Sequence, residues 1–345
     1  MTAISSSLIA WYSGAKRDLP WRIGGNPYHI WLSEIILQQT RVNQGLPYFE
    51  RFVSQYPTVQ DLARAPEQEV LRLWQGLGYY SRARNLHKAA KVVHEQYNNA
   101  FPNHCEELIK LPGVGPYTAA AIASIAFNEA VPVLDGNVYR VISRLYQIED
   151  DISQPATRKV FTKVLEELIP DEKPGDFNQG LMELGALICS PQNPKCDQCP
   201  LSEFCEARSM KSQHKFPVKK KKVKVRNRNF HYLCFQHGEH YALQERTKKE
   251  IWQGLYQFLL QEEEQFSIEA FVEENISGAE VQSVSEPFKH ILTHQRIHAT
   301  FYKIMVEDES DFHSLIRKYA LRPYTYEQML NLPKPKLLVN YLDSF

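Results

Sequence analysis

The chain lacks the features that mark membrane and secreted proteins. Its 345 residues contain no run of eighteen apolar residues, so no segment is typical of a transmembrane helix. The N-terminus, Met-Thr-Ala-Ile-Ser-Ser-Ser, lacks the basic and apolar regions of a secretory signal. We therefore expect a cytoplasmic, monomeric protein that does not bind membranes. With 43% hydrophobic residues, the chain is long enough for two domains with separate cores.

The sequence also has no net charge, since 40 basic residues balance 40 acidic residues. A zero sum argues against nucleic-acid binding, but the distribution of charge matters more than the sum. Residues 211–228 carry 9 Lys or Arg and no acid, whereas residues 1–210 carry 20 against 23 and residues 229–345 carry 11 against 17. Any DNA contact is expected to be local, through this basic connector, helix N-termini and selected side chains.

Cysteine is scarce, and four of the 6 cysteines fall within one short stretch. These are Cys189, Cys196, Cys199 and Cys205, in the spacing C-x6-C-x2-C-x5-C. Disulfides are not expected in an intracellular chain, so metal binding is the default interpretation. Structural zinc held by four thiolates is the competing interpretation, although this spacing is unlike that of paired zinc knuckles.

Two glycines bracket one apolar residue in Leu111-Pro-Gly-Val-Gly-Pro, and Pro116 then opens a run of small residues typical of a helix start. Gly113 and Gly115 permit positive φ and close backbone approach. The unpaired N–H groups and the dipole of a helix that begins here predict an anion site. A nucleic-acid phosphate would fit this site.

Two carboxylates lie in segments with helical spacing of apolar residues. Asp135, in Val133-Leu-Asp-Gly-Asn-Val, is expected at or just before a helix N-terminus, where capping is its ordinary role. Glu34 lies among apolar residues in Ser33-Glu-Ile-Ile-Leu-Gln-Gln-Thr. It is either a charge on the helix surface, which the spacing slightly favours, or a buried acid with a raised pKa.

The segments around Glu34 and from Gly113 to Asp135 resemble the MutY-type adenine glycosylases of the endonuclease III superfamily. Val133-Leu134 replaces the Gly-Pro usual before the aspartate in that superfamily, and Leu-Asp-Gly-Asn-Val is similar to the MutY-type branch. The resemblance implies a helix-hairpin-helix that grips the DNA backbone. It also implies a [4Fe-4S] cluster on the four cysteines, with a structural role in presenting basic residues such as Lys195 to a phosphate.

The same resemblance implies the catalytic roles. Glu34 would protonate N7 of the departing adenine, and Asp135 would stay ionised, stabilising or covalently trapping C1′ of the sugar. Tyr117 and Asn137 would orient both carboxylates. Tyr117 stands where lyase-competent relatives carry lysine, so an intact abasic strand is expected as the product.

The resemblance also implies contacts to DNA. Tyr79, in a glycine-containing loop, is expected to act as a wedge in the opened base stack, with Gln39 and Thr40 beside it in the gap. Arg82 and Arg84 either reach phosphates or remain solvated charges. The expected DNA-binding residues are Arg22, Gln38, Gln39, Thr40, Tyr79, Gly113, Gly115, Gln179, Thr293 and His294.

The basic stretch marks a domain boundary. We expect a helical DNA glycosylase domain over residues 1–210, a linker over 211–228 and a second domain over 229–345. The second domain is predicted to have a helix near Ile268–Glu274. Its predicted strands are Phe230–Phe235, Tyr241–Gln244, Leu255–Leu259 and His298–Val306.

The segment Gln244-Glu-Arg-Thr-Lys-Lys-Glu-Ile-Trp-Gln-Gly-Leu-Tyr-Gln-Phe resembles the Nudix-like C-terminal domain of MutY-type enzymes. It lacks the Nudix catalytic pattern, because Leu260 stands where that pattern needs Glu, so a recognition module is expected. Leu292-Thr293-His294 matches the Phe-Ser-His turn that reads 8-oxoguanine in that family. The expected fold is multidomain, with an all-α helix-hairpin-helix glycosylase domain carrying the [4Fe-4S] loop and a C-terminal α+β Nudix-like domain.

These features favour a monofunctional glycosylase that removes adenine mispaired with 8-oxoguanine or guanine in double-stranded DNA. Two alternatives stay open. An endonuclease III-type pyrimidine glycosylase with lyase activity requires an amine where this chain has Tyr117. A non-enzymatic iron–sulfur DNA-binding module gives no reason for Glu34 and Asp135 to accompany the hairpin.

Overall fold

The computed structural model describes residues 1–220, 225–276 and 279–344. The chain divides into two compact units, residues 1–64 with 85–221 and residues 65–84 with 222–345. The domain boundaries expected from the sequence stay a prediction. The structural division differs from them mainly in grouping residues 65–84 with the C-terminal part.

The chain up to residue 209 is helical, as predicted. The predicted helices Val42–Tyr56, Val59–Ala65, Glu67–Leu73 and Ser81–Gln96 each end within one residue of an observed helix. Among the described residues, no helix is long and apolar enough to cross a bilayer. The helices are α1 (Ala3–Ala15), α2 (Pro27–Leu37), α3 (Val42–Gln55), α4 (Val59–Arg64), α5 (Glu67–Leu73), α6 (Ser81–Gln96), α7 (Cys105–Leu108), α8 (Pro116–Phe127), α9 (Gly136–Leu145), α10 (Thr157–Glu166), α11 (Pro174–Leu187) and α12 (Glu206–Ser209).

Helix α11 is central to the first unit, where it packs against α1, α8 and α9. Two of its glycines allow this close approach. A Cβ on Gly175 would lie 2.7 Å from the carbonyl oxygen of Ser124 in α8, and a Cβ on Gly185 would lie 2.6 Å from the Cβ of Asn137 in α9. Larger residues would therefore push α11 away from the start of α9, where Asp135 is the N-cap.

The second unit contains a mixed sheet. The strands run in the order β3-β2-β1-β7-β5, with β4 on β1, β6 on β7 and β8 on β2. The central strands β1 and β7 are parallel, from Arg226 beside Gln295 to Gln236 beside Met305. The strands are β1 (Arg226–His237), β2 (His240–Glu245), β3 (Tyr256–Gln257), β4 (Leu259–Gln261), β5 (Ala279–Val284), β6 (Phe288–Ile291), β7 (Gln295–Val306) and β8 (Arg322–Thr325).

Helices cover both faces of this sheet, and one face is covered only in part. The helices are α13 (Ile268–Asn275), α14 (Glu309–Lys318), α15 (Tyr326–Asn331) and α16 (Lys336–Leu342). Ile268 of α13 and Phe312 of α14 share a core with Phe235 and Ile304, at the C-terminal ends of β1 and β7. On the opposite face, Tyr341 of α16 stacks on Phe301 with ring centroids 3.9 Å apart. Helix α13 was predicted, whereas β5, β6, β8 and the last three helices were not.

Residues 65–84 belong to the second unit because its C-terminal segment holds them. The Tyr80 hydroxyl donates to the Lys334 carbonyl at 3.1 Å, and the Lys334 N–H donates to the side-chain oxygen of Gln75 at 3.2 Å. The Lys334 side chain is 2% exposed. Its ammonium donates to the carbonyls of Met329 at 2.6 Å and Leu332 at 2.7 Å, and burial lowers its pKa to about 8.

Candidate active site and cysteine loop

Glu34 lies on α2, most of whose residues are buried in the first unit. Asn26 caps this helix by accepting from the Tyr28 N–H, and Pro27 opens it. Burial raises the pKa of the Glu34 carboxyl to about 7, the Tyr117 hydroxyl hydrogen bond lowers it, and the charge of Asp135 raises it. The buried-acid alternative therefore describes Glu34 better than the surface charge that the spacing had slightly favoured.

Asp135 is the N-cap of α9, as predicted. Its carboxylate accepts from the Val138 N–H at 2.7 Å and from the Asn137 side-chain amide at 3.0 Å. Burial raises the pKa of Asp135, and these hydrogen bonds oppose that shift without cancelling it. Burial is the largest effect on this carboxyl and works against the ionised state expected for Asp135.

Tyr117, in the first turn of α8, lies close enough to Glu34 and Asp135 for both carboxylates to affect its pKa. Its hydroxyl donates to the sulfur of Met182 at 3.3 Å, and its hydrogen-bonding interaction with Glu34 lowers the pKa of that carboxyl. Burial and the charges of Glu34 and Asp135 raise the pKa of this phenol, so it stays protonated. Helices α2, α8 and α9 thus bring together the four side chains that the sequence had suggested as catalytic, Glu34, Tyr117, Asp135 and Asn137.

Asn178 on α11, which the sequence analysis missed, fixes the segment that leads to Asp135. Its side-chain oxygen accepts from the Val133 N–H at 3.1 Å. Its amide donates to the Val131 carbonyl and the Ser124 hydroxyl, both at 2.9 Å. Asn178 is fully buried, so its loss would leave several backbone and side-chain groups without partners. The sequence offered one indication of this role, because Asn178 is a polar residue that follows Phe177 on a largely apolar helix.

The two hairpin glycines differ. Gly113 has φ of +76°, and a Cβ there would lie 2.6 Å from the Cβ of Asn85, so both predicted reasons for glycine apply. Gly115 has φ of −89° and open space around it, so neither its backbone conformation nor a neighbouring residue requires glycine there. Gly115 is instead the N-cap of α8, and without a side chain it cannot cap the first N–H groups.

Several expected DNA-binding side chains of the first unit form internal hydrogen bonds. The Gln38 amide donates to the Thr118 hydroxyl at 3.3 Å, and the Thr40 hydroxyl donates to the Gln38 carbonyl at 3.4 Å. The Gln179 amide donates to the Gly175 carbonyl at 3.4 Å. Gln39 is exposed with φ of +61°, a left-handed conformation in which the backbone turns sharply after α2.

Arg22 was expected to contact DNA, but its guanidinium is bound to Glu183 of α11 at 2.9 Å. Arg17 binds the same carboxylate at 2.6 Å, and Glu183 is 1% exposed. Burial alone would raise the pKa of Glu183, but hydrogen bonds from the two arginines outweigh it and lower the pKa. Arg22 is therefore committed to a structural ion pair, which the sequence analysis missed. A carboxylate on an apolar helix was its only signal.

The cysteine loop suits a cluster of iron and sulfide. One cavity is lined by all four predicted ligands, Cys189, Cys196, Cys199 and Cys205, and none of them forms a disulfide. Within residues 1–220, 225–276 and 279–344, no group of His, Cys, Asp or Glu is spaced to hold a single metal ion. Burial raises the pKa of the Cys199 thiol to about 11, so binding must displace protons.

Two arginines of α9, both missed by the sequence analysis, hold this loop. Arg144 donates to the Cys189 sulfur at 3.4 Å and to the Ser190 carbonyl at 2.7 Å. Arg140 donates to the side-chain oxygen of Asn137 at 2.8 Å and to the carbonyls of Gly185 and Cys189, both at 2.7 Å. Lys195 of the loop is exposed, as a phosphate contact requires. The helix that begins after Asp135 is thus bonded directly to the loop.

In the second unit, Tyr79 and Tyr80 have different environments. Tyr79 is 49% exposed with φ of +48°, and its hydroxyl is hydrogen bonded to the Thr293 hydroxyl. Tyr80 is 4% exposed and holds Lys334. Tyr79 is therefore the tyrosine available to a ligand, and the buried Tyr80 is a packing residue.

The two arginines after Tyr79 form hydrogen bonds to backbone carbonyls. Arg82 donates to the carbonyls of Leu77 and Gly78, both at 3.2 Å, and lies over the Trp74 ring at 5.0 Å. Burial lowers its pKa to about 10. Arg84 donates to the Gln253 carbonyl. Both guanidiniums hold the backbone of their own unit, so neither is simply a solvated charge, and contact with a phosphate stays a prediction.

Residues 292–294 form the turn between β6 and β7. The Leu292 N–H donates to the Gln295 carbonyl at 2.8 Å, which closes the turn, and the side chains of Thr293 and His294 are exposed. Tyr79 and this turn line a cavity of about 510 Å³ together with Trp252. The predicted wedge and the predicted lesion-reading turn therefore share one cavity within the second unit.

Sequence comparisons match three known families. Residues 32–167 match the HhH-GPD superfamily of base excision DNA repair proteins. Residues 189–205 match the iron-sulfur binding domain of endonuclease III, and residues 231–344 match the NUDIX domain. The iron–sulfur match spans the four cysteines from the first to the last.

Curated relatives match over most of the chain. The adenine DNA glycosylase of Buchnera aphidicola subsp. Acyrthosiphon pisum (strain APS) is 33% identical over 340 residues, which is 98% of this chain and 97% of the relative. The one from Buchnera aphidicola subsp. Schizaphis graminum (strain Sg) is 35% identical over 295 residues, 85% of each chain. The adenine DNA glycosylase of Homo sapiens is 45% identical over 222 residues, 62% of this chain and 41% of the human protein.

Solved structures match over the glycosylase part. A thermostable thymine-DNA glycosylase is 31% identical with a TM-score of 0.55, covering 60% of this chain and 95% of that structure. An endonuclease III trapped with DNA in a covalent intermediate is 26% identical with a TM-score of 0.51, covering 60% of this chain and 94% of that structure.

Proposed function

The chain belongs to the adenine DNA glycosylases of base-excision repair, and we propose that it removes adenine paired with 8-oxoguanine or guanine in duplex DNA. The observation that carries this proposal is the buried Glu34 carboxyl with a pKa of about 7, hydrogen bonded to Tyr117 and close enough to Asp135 for their charges to interact. Residues 189–205 carry the [4Fe-4S] cluster, bound by their four cysteines.

Glu34 acts as the general acid. Adenine is a poor leaving group, and protonation at N7 lets it depart without a negative charge. A carboxyl with a pKa of about 7 is protonated in about half of the molecules near neutral pH and gives up its proton readily. General acid catalysis of this kind is worth about 10²–10⁴-fold in rate.

Asp135 stabilises the sugar. As the C1′–N9 bond breaks, positive charge develops at C1′, and a carboxylate held by two donors, from Val138 and Asn137, opposes it. The carboxylate either pairs with this cation or bonds to C1′, and water then adds to C1′. The proton of that water leaves to solvent or to a carboxylate. The products are free adenine and an intact strand with an abasic site.

The enzyme is monofunctional in this proposal. A lyase of the endonuclease III type uses an amine to form a Schiff base with C1′, and Tyr117 occupies the corresponding position here. The phenol of Tyr117, whose pKa is raised, forms no imine and serves to orient Glu34.

The second unit reads the base opposite adenine. The exposed Thr293 and His294 offer hydrogen-bonding groups to 8-oxoguanine, and Tyr79 wedges into the stack beside that base. The hydrogen bond between Tyr79 and Thr293 supports this assignment, because it places the wedge next to the turn. We further propose that the protein acts as a monomer on duplex DNA in the cytoplasm, associated with the nucleoid.

Single-turnover excision on matched duplexes tests the proposal. Wild-type protein is expected to excise adenine opposite 8-oxoguanine fastest, then opposite guanine, and not opposite thymine. Glu34→Gln is expected to bind the same duplexes and excise at least about 100-fold more slowly, because it removes the proton donor without changing shape. Excision by Glu34→Gln within a few-fold of wild type would show that Glu34 is not the acid.

Lesion reading is tested separately with Thr293→Ala/His294→Ala. Each substitution removes polar contacts worth on the order of 1 kcal/mol, so the preference for 8-oxoguanine over guanine is expected to fall about tenfold or more. Thr325→Ala, which alters an N-cap of the same unit away from the turn, is the control. An unchanged preference in the double variant would place lesion reading elsewhere.

A further inference from the structure

One face of the sheet in the second unit is covered along only part of its length. On β7, Tyr302, Ile304 and Val306 belong to the core that α13 and α14 complete. Arg296 and His298 precede them on the same face, because side chains two residues apart point the same way. Both are exposed. The N-terminal part of this face is therefore open to solvent.

This open part is basic. On β6, the exposed Lys289 lies opposite His298, and the exposed Ile291 lies opposite Arg296. On the other side of β7, Asn227 of β1 lies beside Arg296. We call Lys289, Arg296 and His298 the basic strip. It contains no acidic residue, and its neighbours supply an amide and one apolar side chain.

Lys289 and Arg296, the two cations of the basic strip, have no carboxylate partner among the described residues. The neighbouring strand β1 differs, because Arg228 is bound to Glu262 at 2.5 Å and Arg226 lies 3.9 Å from the same carboxylate. No described acid lies within 4 Å of Lys289 or Arg296. Unpaired cations that are exposed side by side create a local positive potential, which the zero net charge of the chain conceals.

The basic strip adjoins two features that point toward DNA. It begins immediately after the turn of residues 292–294, the proposed reader of the lesion. The Arg226 N–H also donates to the His294 carbonyl at 2.9 Å, so the last residues of the basic stretch 211–228 reach the same turn. The basic strip and the end of the basic stretch therefore both adjoin the turn.

We propose that the basic strip binds the phosphate backbone of the DNA strand whose base the turn reads. Lys289 and Arg296 donate to phosphate oxygens, and Ile291, 66% exposed between them, packs against a sugar. This proposal rests on the proposed function for the identity of the turn. It adds a binding surface that supplies affinity and register on the duplex without any base specificity.

The salt dependence of binding tests this surface. Each phosphate contact contributes about 0.9 to the slope of log K against log salt concentration. Lys289→Gln/Arg296→Gln is expected to lower that slope by about 2 and to weaken binding equally for duplexes with A:8-oxoG, A:G and T:A pairs.

Two further variants give the test its control. Arg317→Gln/Arg322→Gln removes the same charge from exposed positions on α14 and β8, and is expected to leave the slope within about 0.5 of wild type. Lys289→Arg/Arg296→Lys keeps both charges and should keep the slope. Circular dichroism and thermal unfolding check that all variants fold.

The proposal is overturned if the Gln variant keeps the wild-type slope, the result expected if the basic strip binds an acidic protein partner instead of DNA. It is also overturned if the α14 and β8 control loses as much slope, since net charge alone would then explain the effect. The T:A duplex needs no excision, so the slope remains informative even if the protein fails to excise adenine. The experiment therefore distinguishes failure of the proposed excision activity from failure of the proposed phosphate contact.

Discussion

The Arg140 guanidinium donates to the backbone carbonyl of Cys189 at 2.7 Å. Because the same guanidinium also donates to Asn137, which donates to Asp135, a continuous chain of hydrogen bonds runs from the first cysteine of the loop to the proposed sugar-stabilising carboxylate. Any movement of the loop at Cys189 therefore changes the support of Asp135.

We predict that Arg140→Gln both destabilises the fold and slows excision. The substitution leaves the buried carbonyls of Gly185 and Cys189 without their donor, at a cost of about 3 kcal/mol in the free energy of unfolding. Denaturant unfolding measures the stability, and single-turnover assays measure the rate. Arg208→Gln is the matched control, because its partner Asp197 is exposed and that pair contributes little. If the two variants had the same stability and the same excision rate, the Arg140 hydrogen bonds would not support the fold or the active site as proposed.

The pH dependence of excision follows from Glu34. Its pKa of about 7 lies above the ordinary 4.5, so the acid is protonated below about pH 7 and lost above it. The single-turnover rate is expected to fall about tenfold per pH unit on the alkaline side. Measurements from pH 5 to pH 9 check this, and a flat profile across pH 7 would exclude Glu34 as the rate-determining proton donor.

The same pKa shift predicts an effect on stability. The folded state binds the Glu34 proton more tightly than the unfolded state, so wild type loses stability as the pH rises from about 4.5 to about 7. Glu34→Gln has no such proton and is expected to be more stable than wild type at pH 8, on the order of 2 kcal/mol, with the difference vanishing near pH 4.5. Urea unfolding at both pH values measures this, and a pH-independent difference would contradict the shift.

The Tyr117→Lys variant is expected to gain lyase chemistry. An amine at this position, with Asp135 nearby to accept a proton, attacks C1′ and forms a Schiff base that borohydride traps. Excision should slow, because the hydrogen bond to Glu34 and the aromatic packing are lost. Tyr117→Phe, which forms no imine, is the control. Trapping by the wild-type protein would refute the monofunctional assignment, and a Lys variant that excises without an adduct would show that this side chain does not face the sugar.

Removal of one cluster ligand should affect structure before chemistry. Purified anaerobically, the wild-type protein is expected to be brown and to contain iron and sulfide. Cys199→Ser should lose both and bind DNA or fold less well, whereas Cys105→Ser, outside the loop, should keep both. Metal analysis, visible absorbance and duplex binding make the comparison. Stoichiometric zinc in a colourless wild-type protein would contradict the cluster.

The helical part was predictable because its helices are long and their apolar residues recur at helical spacing. The N-cap at Asp135 also follows from local chemistry. Strands β5 and β8, in contrast, are short and largely exposed, so any alternation of apolar and polar residues in them is too brief to predict a strand. They are strands because β5 pairs with β7 and β8 pairs with β2. A local sequence pattern does not predict such pairing.

The contacts that the sequence did not reveal at the site have a common cause. The partner of a charged side chain depends on tertiary structure, so the sequence did not reveal that Arg22 binds Glu183 or that Arg82 holds the Leu77 carbonyl. The backbone conformation of Gly115 could not be predicted either, because glycine permits positive φ without requiring it. Motif residues such as Glu34 and Asp135 were identifiable, and the buried residues that hold them, Asn178 among them, were not.

The bonds of Lys334 to Gln75 and Tyr80 mean that the two units do not correspond to two separable fragments of sequence. A protease that cut within the basic stretch would release a C-terminal piece lacking residues 65–84, which complete its own fold. The N-terminal piece would keep Leu71 and Tyr80, whose burial in the intact protein involves that partner, and would tend to aggregate. Hydrogen exchange of the amides of residues 70–80 should therefore report whether the far end of the chain is in place.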